Sequence, residues 1–172
     1  WCPSRGLGDV YKRQVLASQI VLSLQTIVSR KIDPLEPAVV TVGSIHGGLK
    51  HNIISEEVRL QLTLRSYSDE VREKTIDEIK KIVKGLGMAA GLPESKMPKV
   101  LLKDEYTPAL YNDPEFSRKV LSFISKEIGD ENVSEISAVM GGEDFARYGR
   151  QDPKIPSLLF WLGGTSKEDW KK

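Results

Sequence analysis

The stretch Ala38–Ser66 constrains the fold more than any other part of the chain. Its second half alternates apolar with polar side chains, namely Val58, Leu60, Leu62 and Leu64 with Arg59, Gln61, Thr63 and Arg65. A period of two predicts a β-strand with one buried and one solvated face, because successive side chains on a strand point to opposite sides. The first half predicts a partner strand, and the glycine- and histidine-containing segment between them predicts a turn. We therefore expect a two-stranded unit whose register is fixed by its apolar face.

The polar face of this strand pair is the first candidate binding surface. It carries Arg65, which we expect to lie near the polar segment His46–Asn52. A guanidinium can bind a carboxylate through two parallel hydrogen bonds, although an ordinary exposed strand arginine is the alternative. Asn52 has a similar alternative, because asparagine often supports a turn by bonding its own backbone.

Helical patterns flank the strand pair. A first helix is predicted over Val15–Arg30, and a second begins at Ser68 or Asp69 and ends near Gly85 or Gly87. In the first helix the predicted buried stripe consists of Leu16, Ile20, Leu24 and Ile27, widened by Val21 and Val28. Lys99–Lys103 predicts a third strand. One further strand before Val15 would complete βαββαβ, the ferredoxin-like arrangement, so the chain is expected to begin inside that unit.

The remainder of the chain has a different character. Asp113 and Pro114 predict the start of a third helix that ends at Gly129. Ser157–Leu162 is a continuous apolar run, which is typical of a strand buried on both faces of an α/β sheet. One helix and one strand cannot form such a sheet alone. We therefore expect an incomplete α/β segment after the α+β unit.

Composition excludes several classes of protein. A net charge of +1 over 172 residues gives no field that would favour nucleic acid or a membrane surface. The single cysteine, Cys2, permits no internal disulfide. No apolar run reaches the roughly 20 residues of a membrane-spanning helix, so a cytoplasmic protein is expected. Residues 1–14 lack a clear period, which indicates either a non-native leader or a poorly ordered terminus.

Two local patterns could carry chemistry. His46 and His51 are the only histidines, and they could form a metal or general-base site or simply a solvated turn. In Met140–Phe145, Gly141 and Gly142 could allow close approach to a ligand, and the acids Glu143 and Asp144 follow. The alternative is an ordinary helix start, whose positive end favours both acids.

Several of these segments together resemble the M20 metallopeptidases, and most closely their amidohydrolase branch, which includes hippurate hydrolases and N-acyl-amino-acid deacylases. The resemblance rests on LQTIVSRKIDPLEPAVVTVGSIHGG, the LTLRSYS strand and MGGEDFARYG, and it extends from about Val15 to Gly164. It implies an α/β catalytic domain with two divalent metal ions (Zn, Mn, Co or Ni) and an inserted ferredoxin-like lid that pairs two subunits. Residues 15–110 would be the lid, and residues 111–172 would be the C-terminal part of the catalytic domain.

The resemblance also implies roles for particular residues. Asn52 and Arg65 would approach the substrate's carboxylate or the reaction centre, in one subunit or its partner, and Gly141, Gly142, Glu143 and Asp144 would line the pocket. The family's metal ligands and glutamate base would lie before this chain, and a last histidine ligand would follow Trp170. We therefore expect no catalytic or metal-binding residue, no bound metal and no hydrolysis in this chain.

Two other functions remain open from the sequence. A self-standing ferredoxin-like module could dimerise or sense a small ligand, and RNA binding is a weaker alternative because the aromatic signature of RNA-recognition motifs is absent. The enzyme interpretation predicts a homodimer through the lid and a small N-acyl amino acid or peptide as substrate.

Overall fold

The computed structural model describes residues 12–165 and residue 169. The chain divides into two compact units, Trp1–Tyr106 and Thr107–Lys172. The boundary predicted from the sequence lies four residues later, between residues 110 and 111. The first unit contains, in chain order, α1 (Arg13–Arg30), β1 (Ala38–Gly47), β2 (Val58–Ser66) and α2 (Asp69–Ala89), followed by a short 3₁₀ helix at Glu94–Lys96.

β1 and β2 form an antiparallel hairpin, as the alternating pattern predicts. Ala38 pairs with Ser66 at one end and Gly47 with Val58 at the other, with a bulge between Val42 and Ser44. Along β2 every second residue, beginning with Val58, is half-buried, and the residues between are exposed. The sheet therefore has one face towards the helices and one towards solvent.

The core lies between this sheet and the two helices. α1 and α2 pack against each other, and on the sheet α1 lies mainly against β1 while α2 lies against β2. Leu24 and Ile27 are fully buried, and the apolar side chains of both strands pack against the cluster that contains them; Ile76 is also fully buried. The predicted stripe of α1 is confirmed except at Val28, which is 40% exposed. Two α-helices on one two-stranded sheet make this unit α+β.

α1 begins two residues earlier than predicted. Arg13 and Gln14, which the sequence analysis grouped with the leader, are helical. Residues 1–11 of that segment lie outside the described residues. Cys2 lies among them, so the structure says nothing about its surroundings.

α2 begins as predicted and ends later than predicted. The hydroxyl of Ser68 accepts a hydrogen bond from the backbone N–H of Val71, so it caps the helix. The helix continues through Gly85 and Gly87, so neither glycine ends it. It ends in a Schellman motif, in which the N–H groups of Gly91 and Leu92 donate to the carbonyls of Met88 and Gly87. Gly91 has a φ of 71°, a conformation that favours glycine.

The predicted third strand, Lys99–Lys103, is wrong for the described structure. The segment Met97–Tyr106, here called the strap, is neither helix nor strand, bends at Asp104 and has no strand partner among the described residues. Val100 packs against the core, whereas Leu101 is 86% exposed. In a ferredoxin-like sheet the last strand would pair with the first, and no described residue supplies that first strand. From the sequence that first strand is expected before Val15, and the apolar pattern of Lys99–Lys103 does not by itself supply the neighbour that a strand needs.

Contacts to α2 hold the strap at both of its ends. A Cβ atom on Gly87 would lie 2.8 Å from Cε of Met97 and 3.0 Å from Cδ of Pro98, so glycine allows the strap to approach the helix closely. At the other end the guanidinium of Arg72 lies 3.9 Å from the centre of the Tyr106 ring. The strap therefore runs back along α2 from its C-terminal part to its first turns.

The second unit contains α3 (Pro114–Ile128) and short 3₁₀ helices at Asp130–Asn132 and Asp144–Arg150. α3 begins and ends as predicted. The carboxylate of Asp113 accepts from the N–H of Phe116 at 2.8 Å, and Gly129, with a φ of 89°, follows the last turn. No residue of α3 is fully buried.

The predicted buried strand Ser157–Leu162 is also wrong for the described structure. The segment has no strand assignment, and Trp161 and Leu162 are exposed. It is joined to the start of α3 instead, because the N–H of Asp113 donates to the Ser157 carbonyl at 2.9 Å. The side-chain amide of Asn112 both donates to the Leu159 carbonyl and accepts from its N–H, each at 2.9 Å. A β-strand needs at least one neighbouring strand, and the described residues provide none for this segment.

None of the helices within the described residues has the length and apolar character needed to cross a membrane.

Candidate functional site

The outward face of the hairpin is a polar surface formed by facing pairs of residues. His46 stands opposite Arg59, and Ser44 stands opposite Gln61, to whose side-chain oxygen its hydroxyl donates at 2.6 Å. Arg59 also forms an exposed ion pair with Glu57 at 3.1 Å. An exposed pair of this kind contributes little to stability, so the face is a solvated surface and not a stabilised cluster.

Arg65 lies at the far end of this face from the predicted polar segment. It is exposed and stands opposite Val39, whereas the loop after β1 begins beyond the Gly47–Val58 pair. Seven residues of strand separate Arg65 from Val58, which corresponds to roughly 23 Å at about 3.3 Å per residue. The expectation that Arg65 lies near His46–Asn52 is therefore wrong. The prediction fails because β1 and β2 run in opposite directions. Residues near the end of β2 therefore stand beside the start of β1 and not beside the loop that follows β1.

Asn52 lies in the loop that joins β1 to β2, at residues 48–57, and it is exposed. Gly48, at the start of the loop, has a φ of 95°. The other end of the loop is tied to α1, because Arg13 donates to the Ser55 carbonyl at 3.2 Å. Leu49 is 94% exposed in the same loop. The loop therefore presents amide and apolar groups to solvent while its base is anchored.

Arg13 is the residue at this site that sequence reasoning missed. Residues 1–14 have no clear period, so the sequence predicts a leader there and gives Arg13 no role. Its hydrogen bond spans 42 residues of sequence, and no local signal reports such a contact. The only sign in the sequence that Arg13 has a structural role is its position just before the apolar stripe of α1.

The two histidines do not form a metal site within the described residues. His46 lies in β1, His51 lies in the following loop, and both are exposed. No group of three or more His, Cys, Asp or Glu side chains in residues 12–165 could hold a metal ion. The donor set that the two implied metal ions would need is therefore not assembled by the part of the chain that the structure describes.

The MGGEDF segment lies in the second unit. Gly141, Gly142, Glu143 and Asp144 are all exposed, and a 3₁₀ helix begins at Asp144. A Cβ atom on Gly141 or Gly142 would make only ordinary contacts, at 3.9 Å to Val139 and 4.0 Å to Thr107 respectively. Close approach within this unit therefore does not require either glycine. The segment is open, and its acids occupy the start of a short helix.

The clearest electrostatic pair lies elsewhere, on α2. Lys81 donates to Glu78 at 2.8 Å, and Lys31 lies 3.9 Å from the same carboxylate. The hydrogen bond from Lys81, with the nearby positive charges, lowers the pKa of Glu78 below its usual value. The same bond raises the pKa of Lys81. This pair supports the helix surface and contains none of the predicted site residues.

A shallow hollow of about 200 Å³ lies between the start of α1 and the residues that follow α2. It is lined on one side by residues such as Val15, Leu16 and Gln19, and on the other by Ala90 and Leu92. No predicted site residue contributes to it. Its position shows that α2 ends beside the face of α1 that carries Leu16 and Gln19.

Comparison with known proteins relates this geometry to a family. Residues 15–89, which contain α1, the hairpin and α2, match the family model of the peptidase dimerisation domain of M20 proteins. An N-acetyldiaminopimelate deacetylase from Priestia megaterium is 39% identical over 153 residues, which are 89% of this chain and 38% of the relative. The same enzyme from Halalkalibacterium halodurans is 38% identical over 151 residues, with 87% and 38% covered.

A solved structure agrees with these sequences. The crystal structure of a protein described as an aminohydrolase, from methicillin-resistant Staphylococcus aureus, superposes with a TM-score of 0.67 at 34% identity. The match covers 80% of this chain and 34% of that protein. The chain thus spans well under half the length of the relatives that it matches. Through its dimerisation domain, the chain belongs to the M20 peptidase and amidohydrolase family.

Proposed function

We propose that this chain forms the lid and the C-terminal part of the catalytic domain of an M20-type amidohydrolase. The whole protein would hydrolyse the amide bond of an N-acyl amino acid, and it would act as a homodimer joined through the lid. The observation that carries the proposal is the 39% identity to an N-acetyldiaminopimelate deacetylase over 89% of the chain. Residues 15–110 would be a ferredoxin-like lid, and residues 111–172 would belong to the catalytic domain.

The proposed substrate carries a free carboxylate, for which Arg65 is the proposed partner. Arg65 is exposed on a rigid strand, and a two-pronged contact with a carboxylate is charge-assisted. Asn52 is the proposed second contact, by way of its side-chain amide. About 23 Å of strand separates Arg65 from the base of the loop that contains Asn52, which is longer than a small N-acyl amino acid. We infer that each active site would use them from different subunits.

The metal ions would be held outside the described residues. A two-metal centre of this class polarises the amide carbonyl and activates water when it is bound. Since residues 12–165 do not assemble a donor set, no step of the reaction is assigned to a metal ligand of this chain. Gly141–Asp144 remain proposed as part of the pocket lining, where the exposed loop could face a substrate.

The first test compares this chain with the protein encoded by its complete reading frame. We expect the complete protein, supplied with Mn²⁺ or Zn²⁺, to release the amino acid from hippurate or from an N-acetylated diamino acid. The 172-residue chain under the same conditions should release none. Hydrolysis by the pure chain would refute the proposal that residues outside this chain are needed for the reaction. A reading frame that starts near Val15 would instead favour a self-standing dimerisation or ligand-sensing module.

The second test asks whether Arg65 binds the substrate carboxylate. In the complete protein, Arg65→Lys should raise KM about ten- to hundredfold, since a charge-assisted contact is worth roughly 1.5–3 kcal/mol. The matched control is Arg59→Lys, which changes an exposed arginine on the same face of the same strand. The effect should vanish for substrates whose carboxylate is esterified. Equal effects of both variants on both substrates would exclude this role.

A further inference from the structure

The loop between β1 and β2 carries apolar side chains that the core of the unit does not use. Leu49 is 94% exposed, Ile53 is 51% exposed and Ile54 is 44% exposed. None of the three belongs to the apolar cluster between the sheet and the helices. Single exposed apolar residues are ordinary, whereas several grouped in one short loop indicate a binding surface. These three residues, here called the loop patch, therefore need an explanation outside the fold of the unit.

A β-turn at the tip of the loop brings the loop patch together. The N–H of Ile53 donates to the carbonyl of Lys50 at 3.2 Å, so the chain reverses over these four residues. His51 and Asn52 are the two central residues of the turn. The first and last Cα atoms of such a turn lie within about 7 Å of each other. Leu49 and Ile53, at opposite ends of the turn, are therefore close in space on the two sides of Asn52.

Asn52 does not support the turn in which it lies. Asparagine is common in turns because it tolerates a positive φ and bonds its own backbone. Among the described residues only glycines have a positive φ, and the Asn52 side chain makes no hydrogen bond to any part of the described chain. Its two N–H donors and its carbonyl acceptor are therefore open to a ligand.

The base of the loop is held in place while its tip is exposed. The Ser55 hydroxyl donates to the Glu57 carbonyl at 2.5 Å and accepts from the Glu57 N–H at 3.3 Å. Where the loop begins, a Cβ atom on Gly47 would lie 2.8 Å from Cγ2 of Val58, so the two strands approach closely there. A fixed base restricts the positions of the tip, which lowers the entropic cost of binding a ligand.

The size and chemistry of the tip indicate what it binds. A stable protein interface has about 20–30 residues on each side, so the loop patch alone is too small for a protein partner. It fits a small apolar group. Because the amide of Asn52 lies between two members of the patch, the matching ligand carries a hydrogen-bonding unit directly beside its apolar group. An N-acyl amide has this arrangement, since its carbonyl accepts, its N–H donates and its acyl chain is apolar.

We propose that the loop patch binds the acyl group of the substrate and that Leu49 and Ile53 determine which acyl groups are accepted. The inference rests on the proposed function, in which Asn52 contacts the substrate, and it names the substrate class more closely. That class is N-acyl amino acids whose acyl chain is longer than acetyl. An acetyl group offers one methyl group to the patch, whereas a longer chain can contact both Leu49 and Ile53. The carboxylate end would lie at Arg65 of the other subunit.

Kinetics with a series of acyl groups on one amino acid test the proposal in the complete protein. Leu49→Ser and Ile53→Ser should each lower kcat/KM at least tenfold for the N-hexanoyl substrate and less than threefold for the N-acetyl substrate. The magnitude follows because a single methylene contact is worth about tenfold or more in discrimination. The loss should appear in KM, since the far end of the acyl chain is bound equally well in the ground state and in the transition state.

Two further variants separate apolar contact from a general effect of substitution. Leu35→Ser is the matched control, because Leu35 is 90% exposed and lies between α1 and β1, outside the loop. It should change neither constant. Leu49→Met keeps an apolar side chain of similar volume and should retain the preference for the longer chain.

The outcomes distinguish this inference from the proposed function. A complete wild-type protein that hydrolyses no member of the series would refute the proposed function, and this inference with it. If the wild-type protein hydrolyses the series but both serine variants lower kcat/KM equally for every acyl group, the loop patch does not bind the acyl group. A wild-type preference for acetyl over hexanoyl would also overturn the inference. In both of these cases the proposed function would stand.

Discussion

Two glycines in α2 allow the packing of the strap to be tested within one helix. Gly85 is exposed, and a Cβ atom built on it would meet nothing within 4 Å. Alanine at an open helical position is more stable than glycine by about 0.5–1 kcal/mol. We therefore expect Gly85→Ala to stabilise the chain by that amount and to raise Tm by roughly 1–4 °C.

Gly87→Ala should lower the stability of the chain or leave it unchanged. The same helical preference applies two residues later, but the new methyl group would overlap Met97 and the rigid ring of Pro98. Overpacking of this kind costs about 1–3 kcal/mol. The difference between the two alanine variants isolates this cost, because the gain from helix propensity is nearly the same in both. We expect Gly87→Ala to be less stable than Gly85→Ala by about 1–3 kcal/mol.

The assay is urea unfolding followed by circular dichroism at 222 nm, with equal m-values required for the comparison. Met97→Ala combined with Gly87→Ala provides a double-mutant cycle, and shortening Met97 should recover part of the loss. If Gly87→Ala were as stable as Gly85→Ala, the strap would not lie against α2 in solution. The arrangement of Met97–Tyr106 described above would then be incorrect.

Three further predictions concern the termini and surface of α2. Ser68→Ala removes the cap on the Val71 N–H and should lower the free energy of unfolding by about 1 kcal/mol, measured by urea unfolding. Gly91→Ala places a side chain at a φ of 71° and should cost about 1 kcal/mol or more by the same assay. The pKa of Glu78 is lower in the folded chain than in the unfolded chain. Its bond to Lys81 therefore stabilises the fold at pH values above the pKa of the unfolded chain. This contribution is lost as the pH falls through the pKa of the folded chain. Glu78→Gln should therefore lower Tm at pH 7 and not at pH 2, and an equal loss at both would contradict the assignment.

Features set by neighbouring residues were predictable from the sequence. The alternation along β2, the Ser68 cap and the Asp113 cap depend on a few adjacent side chains, and each is present in the structure. The ends of α2 show the limit of such signals. Gly87 resembles a stop in sequence, but it is a point of close contact with a segment ten residues further on, and Gly91 ends the helix instead.

Features set by distant partners could not be predicted in the same way. Lys99–Lys103 and Ser157–Leu162 have the composition of strands, but a strand also needs a neighbour, and the described residues provide none for either. The distance of Arg65 from the loop depends on strand direction and length, which apolar periodicity does not measure. For Asn52 and Gly141–Asp144, the structure supplies exposure and location, while their roles in binding stay predictions.

The side chain of Asn112 has a consequence for the integrity of the second unit under proteolysis. Its amide reproduces both hydrogen-bonding groups of a peptide bond, and it joins two segments 47 residues apart in the sequence. A protease cut near Glu135 would turn this amide and the adjacent Asp113–Ser157 bond into contacts between two separate products, each hydrogen bond contributing about 0.5–1.5 kcal/mol to their association. Aspartate at position 112 lacks the N–H donor to the Leu159 carbonyl, so it should weaken the association of the two products about tenfold, as measured by gel filtration at several concentrations.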